Sequence, residues 1–501
     1  MTKINNQNYT PVFDAVKKYV TDDILPFHVP GHKQGRGLKE FCDFVGKDLM
    51  AIDLTCFEGT DNICNPLDVI KEAQELAAKA YGADHAFFLV NGTTSGIQAM
   101  IMSVCKPGDK IILPRNAHKS AIGGIILSGA VPIYIQPEVC SQHGIALAVT
   151  PEKVKAALEQ HPDAKGVFIV NPTYYGYASD LKAIVDIAHD FDVPVLVDEA
   201  HGAHLSFHQQ LPISAMQAGA DMSAASTHKL AGSLTQSSLL LLREGFVNPK
   251  RVKGVLNLSQ TTSPSYILLA SIDVARKQMA LQGKQLLEST LKLADLARHK
   301  LQKIEGLQVL GEEMLANTGC YSWDPTKLAI NVRKLGLSGF DVETILRREY
   351  GIQVELADLY NVLFLFSIGD NQETVSRLLV AMEAIASGQK LKNITKIGTH
   401  LPKTSELVVT PQVAFYSDTK ILKLEEAEGE IAAEMIMAYP PGIPILCPGE
   451  RISPEIIEYV RVLKQENCQL QGTEDPYMEQ IKVLTRHFVV VQPNNVAETA
   501  G

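Results

Sequence analysis

The segment Ser226–Lys229 places two hydroxyls, an imidazole and an amine directly after the small apolar residues Ala224 and Ala225. Lysine is rarely buried, because its charge is costly to remove from water. In a closed pocket the pKa of a lysine falls, and the neutral amine can then attack a carbonyl and form a Schiff base. Ser226 and His228 suit a phosphate beside it. An ordinary surface lysine at the end of a strand is the alternative interpretation.

Asp198 provides a second chemical group upstream of this lysine. It follows the apolar run Val195–Val197, which predicts a buried parallel strand that ends in a carboxylate. Ligands of open α/β sheets bind beyond the carboxyl ends of the strands. Pyridoxal phosphate needs a lysine for its aldehyde and an acid that keeps its pyridine nitrogen protonated. Asp198 and Lys229 together therefore favour a pyridoxal phosphate site.

The segment NGTTSG, residues 91–96, follows a predicted strand and opens a predicted helix. Backbone N–H groups at a helix N-terminus, the helix dipole and small hydroxyls together make an anion site. The segment matches neither G-x-G-x-x-G nor a Walker loop, so a dinucleotide site has little support. A plain turn rich in glycine and threonine is the alternative.

Motifs along most of the chain resemble the Orn/Lys/Arg decarboxylase family of fold-type I pyridoxal phosphate enzymes. They are PFHVPGHKQGRG, NGTTSG, PRNAHKSA, VDEAHGAH, STHKLAGSLTQSS, LFLFSIGD and MAYPPGIPILCPGE. The resemblance runs from about residue 9 to about residue 485. It is strongest to the short bacterial form without an N-terminal wing domain, and especially to arginine decarboxylases of that form.

The resemblance implies a role for each residue that matches a motif. Lys229 would hold the cofactor, Asp198 would pair with the pyridine nitrogen, and His118 would stack on the ring, although a lone histidine there also suits a helix cap. The other cofactor contacts implied are Thr94, Ser95, His201, Ser226, His228 and, from the neighbouring subunit, Thr262. The site would thus be shared in a homodimer or higher homo-oligomer, with the N-terminal arm across the interface.

Strands that alternate with helices predict βαβ units and a mostly parallel sheet. The family resemblance implies that this sheet is the core of an α/β fold like that of aspartate aminotransferase. The predicted strands are Ala86–Val90, Lys110–Leu113, Val131–Ile135, Gly166–Val170 and Pro194–Asp198. The predicted helices are 9–20, a helix that starts at Asn65-Pro66 and is capped by Gly82, 96–105, Lys119–Ser128, Thr150 to about Glu159, and 181–190.

The pattern divides the chain into an arm and three domains. We predict an N-terminal arm (1–60), a large pyridoxal phosphate-binding domain (61–285), a smaller α+β domain (286–390) and a C-terminal α+β domain (407–501). The polar, basic stretch 387–406 reads as a linker. Within the small domain, GIQVELADLYNVLFLFSIG predicts two adjacent strands.

Composition excludes several classes of function. The chain of 501 residues has a net charge of −10, which argues against nucleic-acid binding and mildly favours a cationic substrate. No stretch is apolar enough for a signal peptide or a membrane helix. The eight cysteines form no C-x-x-C pair, which indicates a reduced, cytoplasmic protein. His201, His204 and His208 lack metal-ligand spacing, so no metal is expected.

Three reactions remain open for the substrate, all on a basic amino acid. We expect decarboxylation of L-arginine to agmatine, with lysine and then ornithine as alternatives. The acidic candidates for the distal cation are Glu58, Asp61, Glu355 and Asp358. An aminotransferase or oxoamine synthase is a more distant alternative, since oxoamine synthases also use D-x-A-H. A non-catalytic cofactor-binding regulator is disfavoured, because no basic DNA-binding segment is present.

Overall fold

The structure is a computed structural model that describes residues 6–388, 405–438, 442–466 and 468–485. Its centre is a seven-stranded sheet with the spatial order β1-β7-β6-β5-β4-β2-β3. The strands are β1 (His85–Leu89), β2 (Lys110–Pro114), β3 (Val131–Ile135), β4 (Val167–Val170), β5 (Val195–Asp198), β6 (Met222–Ala225) and β7 (Ser238–Leu242). In this sheet β7 runs in the opposite direction to the other six strands. The predicted mostly parallel sheet is confirmed.

Helices cover both faces of this sheet, which is why its strands can be apolar along their whole length. One face packs against α1 (Pro11–Thr21), α2 (Val69–Tyr81), α5 (Pro151–Gln160) and α6 (Leu181–Asp190). The other face packs against α3 (Gly92–Val104), α4 (Lys119–Ser128) and α7 (Pro249–Ser259). The predicted elements of this region recur with bounds that differ by a few residues, except at the start of α2.

Helix α2 begins at Val69 and not at the predicted Asn65-Pro66. The carboxylate of Asp61 accepts hydrogen bonds from the backbone N–H groups of Leu67 (3.0 Å), Asp68 (2.9 Å) and Ile70 (3.0 Å). An acid from outside the helix thus satisfies N–H groups that have no partner within it. The prediction of the C-terminal cap is confirmed, because Gly82 adopts a φ of +74°.

A helix of 36 residues, α8 (Tyr266–Leu301), connects the large sheet to a smaller one. Its first turns pack in the core of the large sheet, and its last turns pack on an antiparallel sheet with the order β8-β9-β11-β10. The elements of this second unit are β8 (Gln308–Val309), β9 (Lys327–Asn331), α9 (Gly339–Tyr350), β10 (Leu356–Ala357), β11 (Asn361–Leu365) and α10 (Gln372–Ser387). The pair β10 and β11 confirms the predicted adjacent strands. The predicted domain boundary at 285/286 falls inside α8.

A third hydrophobic core lies in the C-terminal part of the chain. Strand β12 (Thr419–Lys423) pairs with β16 (Gln480–Leu484), and β13 (Ile436–Ala438) lies between β14 (Ile443–Leu446) and β15 (Leu470–Gln471). Helices α11 (Pro411–Tyr416) and α12 (Pro454–Gln465) complete this region. Most of the predicted linker, residues 389–404, lies outside the described residues.

Short elements fill the described connections. They include the helices Lys39–Val45, Lys47–Ala51, Ala215–Ala218 and Thr227–Leu230, and the strand pairs Val139–Cys140 with Ile145–Ala146 and Tyr177–Ala178 with Ser322–Trp323. None of the helices in the described parts of the chain has the length and apolar character needed to cross a membrane.

Candidate active site

The predicted polar segments lie at the carboxyl edge of the large sheet. Strands β1, β2, β5 and β6 run in the same direction, because β1 and β6 are both antiparallel to β7 and the others are parallel to β6. They lead into segment 91–96, the loop with His118, segment 198–201 and segment 226–229. Open α/β sheets bind ligands at this edge.

Lys229 lies in the short helix Thr227–Leu230 and points toward β5. Its Nζ is 2.7 Å from Nε2 of His201 and 5.7 Å from the ring centroid of Tyr174. Burial lowers the pKa of Lys229, although the carboxylates of Glu355 and Asp198 oppose this effect. A larger share of neutral amine follows at a given pH, and the neutral amine is the form that attacks a carbonyl.

His201 is the hydrogen-bond partner of this amine and is buried with it. Burial and the positive charge of Lys229 hold the pKa of His201 well below its ordinary value. Its other ring nitrogen, Nδ1, is buried and has no hydrogen-bond partner in the described part of the chain. His201 is therefore neutral at pH 7, and its Nε2 shares one hydrogen bond with the Nζ of Lys229.

Asp198 ends β5 and is 5 % exposed. Its Oδ1 accepts a hydrogen bond from the backbone N–H of Ala200 (3.1 Å). Burial raises the pKa of Asp198 to about 6, while that hydrogen bond and the charge of Lys229 lower it. The carboxylate is therefore poorly compensated, and a cationic N–H donor placed against it would stabilise the charged form.

His118 is the N-cap residue of α4. Its Nδ1 accepts a hydrogen bond from the backbone N–H of Ser120 (3.2 Å) and is 2.7 Å from the Ser120 hydroxyl. Because Nδ1 is the acceptor, the ring proton resides on Nε2. Burial and the positive charges of Lys229 and Lys119 lower the pKa of His118 to about 4, so the imidazole is neutral at pH 7. The ring thus caps a helix and also faces the Lys229 site.

The N-terminus of α3 has the features of an anion site. Asn91 makes no side-chain cap there, and Gly92 has a φ of +67° with open space where a Cβ would project. Thr94 is exposed, whereas Ser95 is buried and donates its hydroxyl to the carbonyl of Gly92 (2.9 Å). Backbone N–H groups without a cap can donate hydrogen bonds to a phosphate.

Ser226 and His228 each bind a different part of the protein. The Ser226 hydroxyl is buried and bonds to that of Thr93, which also bonds to Ser238 (2.8 Å). The Nδ1–H of His228 donates to the carbonyl of Ser237 (2.8 Å). Through Thr93, Ser226 therefore links the segment 226–229 (the lysine loop) to the first turn of α3. A direct phosphate contact by either residue stays a prediction.

Thr262 is the predicted site residue that the fold of one chain does not bring to this cluster. It lies exposed between α7 and α8, and its carbonyl accepts a contact from the Sγ of Cys56 (3.7 Å). Its hydroxyl makes no hydrogen bond in the described part of the chain. The prediction for Thr262 depends on a neighbouring subunit and stays a prediction.

A buried charged cluster behind His201 was not predicted from the sequence. The Nζ of Lys327 is 2.7 Å from Asp324 Oδ2 and donates to the carbonyl of His201 (3.3 Å). Asp324 Oδ2 is also 3.1 Å from Nε2 of His204, and all three side chains are fully buried. The signal available was Lys327 itself, a charged residue that opens the apolar strand run Leu328–Ile330.

The histidines considered for a metal take separate partners. His204 pairs with Asp324, and His208 Nε2 is 3.1 Å from Glu288. Among the described residues, no group of three or more His, Cys, Asp or Glu side chains is arranged to hold a metal ion.

The acidic candidates for the substrate cation differ in their surroundings. Glu58 is exposed, and Asp61 binds the N–H groups before and within α2. Asp358 accepts hydrogen bonds from the Tyr175 hydroxyl and the Asn361 side chain. Glu355 is exposed as Glu58 is and makes no side-chain hydrogen bond in the described part of the chain, but it is close enough to Lys229 for each to shift the pKa of the other.

Two models of one protein family match most of the chain. A family model described as the major domain of Orn/Lys/Arg decarboxylase matches residues 10–374, and the C-terminal domain of the same family matches residues 398–477. The chain belongs to the Orn/Lys/Arg decarboxylase family. Membership implies dependence on pyridoxal phosphate.

Individual relatives cover nearly the whole chain. It is 51 % identical to an arginine decarboxylase of Bacillus subtilis over 96 % of this chain and 98 % of the relative. It is 47 % identical to an arginine decarboxylase of Bacillus anthracis, with the same coverage of 96 % and 98 %. Both matches span nearly the full length of the two chains compared.

Solved structures establish the same fold at lower identity. The lysine decarboxylase of Francisella novicida superposes with a TM-score of 0.81 at 23 % identity, covering 95 % of this chain and 81 % of that one. A ureidoglycine–glyoxylate aminotransferase of Bacillus subtilis has a TM-score of 0.53 at 16 % identity and covers 65 % of this chain and 86 % of its own. The fold is therefore fold-type I, as predicted.

Proposed function

We propose that this member of the family decarboxylates L-arginine to agmatine and CO₂ with pyridoxal phosphate as its cofactor. The observation that carries the chemistry is the contact between the Lys229 amine and His201 beside the buried carboxylate of Asp198. The choice of arginine is supported by relatives named arginine decarboxylase that are 47–51 % identical over nearly the full chain.

The residues at this edge fit pyridoxal phosphate group by group. Lys229 Nζ would hold the aldehyde, Asp198 would pair with the pyridine N–H, and His118 would cover one face of the ring. The start of α3 with Thr94 and Ser95 would hold the phosphate, assisted by Ser226 and His228 from the lysine loop. When bound, the cofactor supplies a ring that takes up the electrons released at the substrate Cα as CO₂ leaves.

The protein's own groups control protons and water around this chemistry. Burial lowers the pKa of the Lys229 amine, and the neutral His201 at 2.7 Å adds no opposite charge that would raise it. Asp198 keeps a proton on the ring nitrogen because its buried charge is stabilised by that donor. The neutral ring of His118 excludes water from one face without adding a positive charge that would compete with Asp198.

Glu355 is the residue that we propose for the distal cation of the substrate. Its carboxylate makes no hydrogen bond within the described residues. It lies close enough to Lys229 for its charge to raise the pKa of that amine. Burial raises the pKa of Glu355, whereas the charges of Lys229 and Lys327 lower it. A guanidinium would compensate this carboxylate with two parallel hydrogen bonds, which an ammonium cannot make.

We further propose that two copies of the chain share the site. The arm between α1 and α2 exposes large apolar side chains, among them Phe27 (90 %), Val29 (63 %) and Phe44 (90 %), and Leu258 near Thr262 is 82 % exposed. Apolar side chains exposed to this extent in one region indicate a covered surface in the assembly. A second subunit would bring Thr262 to the phosphate of its neighbour.

A cytoplasmic location is the last part of the proposal. All eight cysteines are unpaired, and several are buried where no second thiol is bonded to them. Unpaired cysteines are typical of proteins in reducing compartments.

The test of the function is a direct comparison of substrates. The purified full chain is given pyridoxal phosphate and equal concentrations of arginine, lysine or ornithine, and CO₂ and amine are both measured. We expect equal amounts of CO₂ and agmatine, with the highest kcat/KM for arginine. Faster formation of cadaverine or putrescine would overturn the substrate assignment. Amino-group transfer without CO₂ would overturn the decarboxylase assignment.

A further inference from the structure

The C-terminal region contacts the loop that carries His118 through a buried ion pair. Arg115 follows β2 directly, and its Nη2 is 2.9 Å from Oε2 of Glu450. The same guanidinium donates to the carbonyls of Pro444 (2.8 Å) and Ile445 (3.2 Å). Glu450 is fully buried and also accepts a hydrogen bond from the backbone N–H of Cys447 (2.7 Å). One guanidinium is thus held at three points by the segment 444–450.

A second contact lies on the other side of His118. The backbone N–H of Lys119, the first residue of α4, donates to the carbonyl of Gly442 (3.1 Å). N–H groups in the first turn of a helix have no acceptor within the helix. The C-terminal region therefore supplies an acceptor to the helix whose N-cap is His118.

These contacts hold the side chain of Arg115, three residues before His118, and the backbone of Lys119, the residue after it. We propose that residues 442–450 form a clamp on the loop 115–119 and thereby hold the imidazole of His118 in position at the cofactor ring. Arg115 and Glu450 act as positioning residues, because their buried side chains bind each other and the backbone of segment 444–450. This inference deepens the proposed function and rests on it.

The chemistry of the clamp distinguishes it from simple docking between two regions. Burying an ion pair costs more desolvation energy than burying apolar side chains of the same size, so charge is a poor choice where only adhesion is needed. A planar guanidinium bound at several points instead sets direction and register. Other contacts also hold the C-terminal region against α4. For example, the side chain of Gln412 donates a hydrogen bond to the carbonyl of Ile126 (2.9 Å).

The experiment compares two clamp variants with a matched control in the full chain. Glu450→Gln keeps the size of the side chain and removes its charge, and Arg115→Lys keeps the charge and removes the planar fork. Glu406→Gln is the control, because Glu406 pairs with Arg451 at the same distance of 2.9 Å in an exposed ion pair. The measurements are the dissociation constant for pyridoxal phosphate, the visible circular dichroism of the bound cofactor, and hydrogen exchange at residues 117–121.

We expect both clamp variants to bind pyridoxal phosphate at least about tenfold more weakly, because small displacements of positioned groups are costly. Exchange at residues 117–121 should be faster and the visible dichroism reduced, whereas Glu406→Gln should match the wild type. Clamp variants that fold and match the wild type in all three measurements would overturn the proposal.

A double-mutant cycle separates positioning from a loss of general stability. If the clamp acts through His118, Glu450→Gln should have little further effect on cofactor affinity in a His118→Ala background. Additive losses would overturn the positioning role. The proposed function has its own separate control: if the wild type itself binds no pyridoxal phosphate at Lys229, the function fails, whereas normal binding with an additive cycle rejects only the clamp.

Discussion

The amine of Lys229 lies 2.7 Å from Nε2 of His201, and burial shifts the pKa of both groups below their ordinary values. Two groups that would each be cationic in acid are thus held next to each other in a cleft that favours their neutral forms. Of the two, only the amine can form a covalent bond with an aldehyde that is stable enough to anchor a cofactor. His201 stays neutral at this distance and adds no opposite charge that would hold a proton on the amine.

The first prediction is that Lys229 anchors pyridoxal phosphate. Lys229→Ala should lose the visible absorbance after dialysis and all turnover. Reduction of the wild type with borohydride, followed by peptide mapping, should place the pyridoxyl label on Lys229. A label on Lys119 or Lys33 would show that the anchor has been misassigned. Lys327 serves as an internal control, since it is fully buried and paired with Asp324 and should remain unlabelled.

The second prediction concerns the reaction and Asp198. Asp198→Asn keeps the shape of the side chain but cannot hold a proton on the ring nitrogen by charge. We expect the decarboxylation rate to fall by several orders of magnitude, where each tenfold loss corresponds to about 1.4 kcal/mol of activation free energy. Thermal unfolding would verify that the variant is folded. A rate within about tenfold of the wild type would be inconsistent with the electrostatic role.

A third prediction follows from the raised pKa of Asp198 in the cofactor-free protein. Its folded-state pKa of about 6 exceeds the ordinary value near 4, so the neutral form favours folding and this stability is lost as pH rises through 6. Without cofactor, Asp198→Asn should therefore unfold at a higher temperature than the wild type above pH 6. The difference in the free energy of unfolding between Asp198→Asn and the wild type should be on the order of 2–3 kcal/mol at its maximum. It should become smaller as the pH falls from 6 to 4. A difference that does not vary with pH would refute the burial argument.

Much of this site could be predicted because its residues follow strands with an unambiguous pattern. The continuous apolar run Val195–Val197 indicated a strand buried on both faces, and Asp198 at its end followed from that. Strand β7 was missed although Leu239–Leu242 is equally apolar, because its antiparallel insertion between β1 and β6 depends on pairing with distant strands. A local pattern contains no information about such partners.

Two other features were not predicted for a similar reason, because each depends on residues outside the local sequence pattern. The start of α2 was misplaced because the cap comes from Asp61, which reaches the helix from outside the local cap signal. The domain boundary was placed at 285/286, inside α8, and the fully buried pair Asp273 and Arg276 in the first half of that helix was not predicted. These charges bind the backbone of Val12 and Tyr9 near α1, so their burial makes sense only once the N-terminal residues are in place.

The fourth prediction tests the buried cluster behind His201. Lys327→Met leaves the Asp324 carboxylate buried without its ammonium partner, and should destabilise the protein by about 3–5 kcal/mol. The double variant Lys327→Met/Asp324→Asn should recover much of this loss, because no unpaired charge remains. Chemical denaturation of the cofactor-free chain measures both effects. Lys182→Met is the control, since Lys182 and Asp186 form an exposed pair, both 58 % exposed, whose loss should cost at most about 0.5 kcal/mol. Equal losses in the single and double variants would contradict this account.

The last prediction concerns recognition of the substrate by Glu355. If its carboxylate binds the guanidinium, Glu355→Gln should lower kcat/KM for arginine by roughly 10- to 100-fold, since a charge-assisted hydrogen bond contributes about 1.5–3 kcal/mol. The loss should arise mainly in KM, because the guanidinium is bound equally before and during the loss of CO₂. Cofactor affinity should change little, which distinguishes recognition of the substrate from damage to the Lys229 cluster. Glu58→Gln is the matched control, because Glu58 is an exposed acid from the same set of candidates. A Glu355→Gln variant within about twofold of the wild type on arginine would assign the guanidinium to a different acceptor.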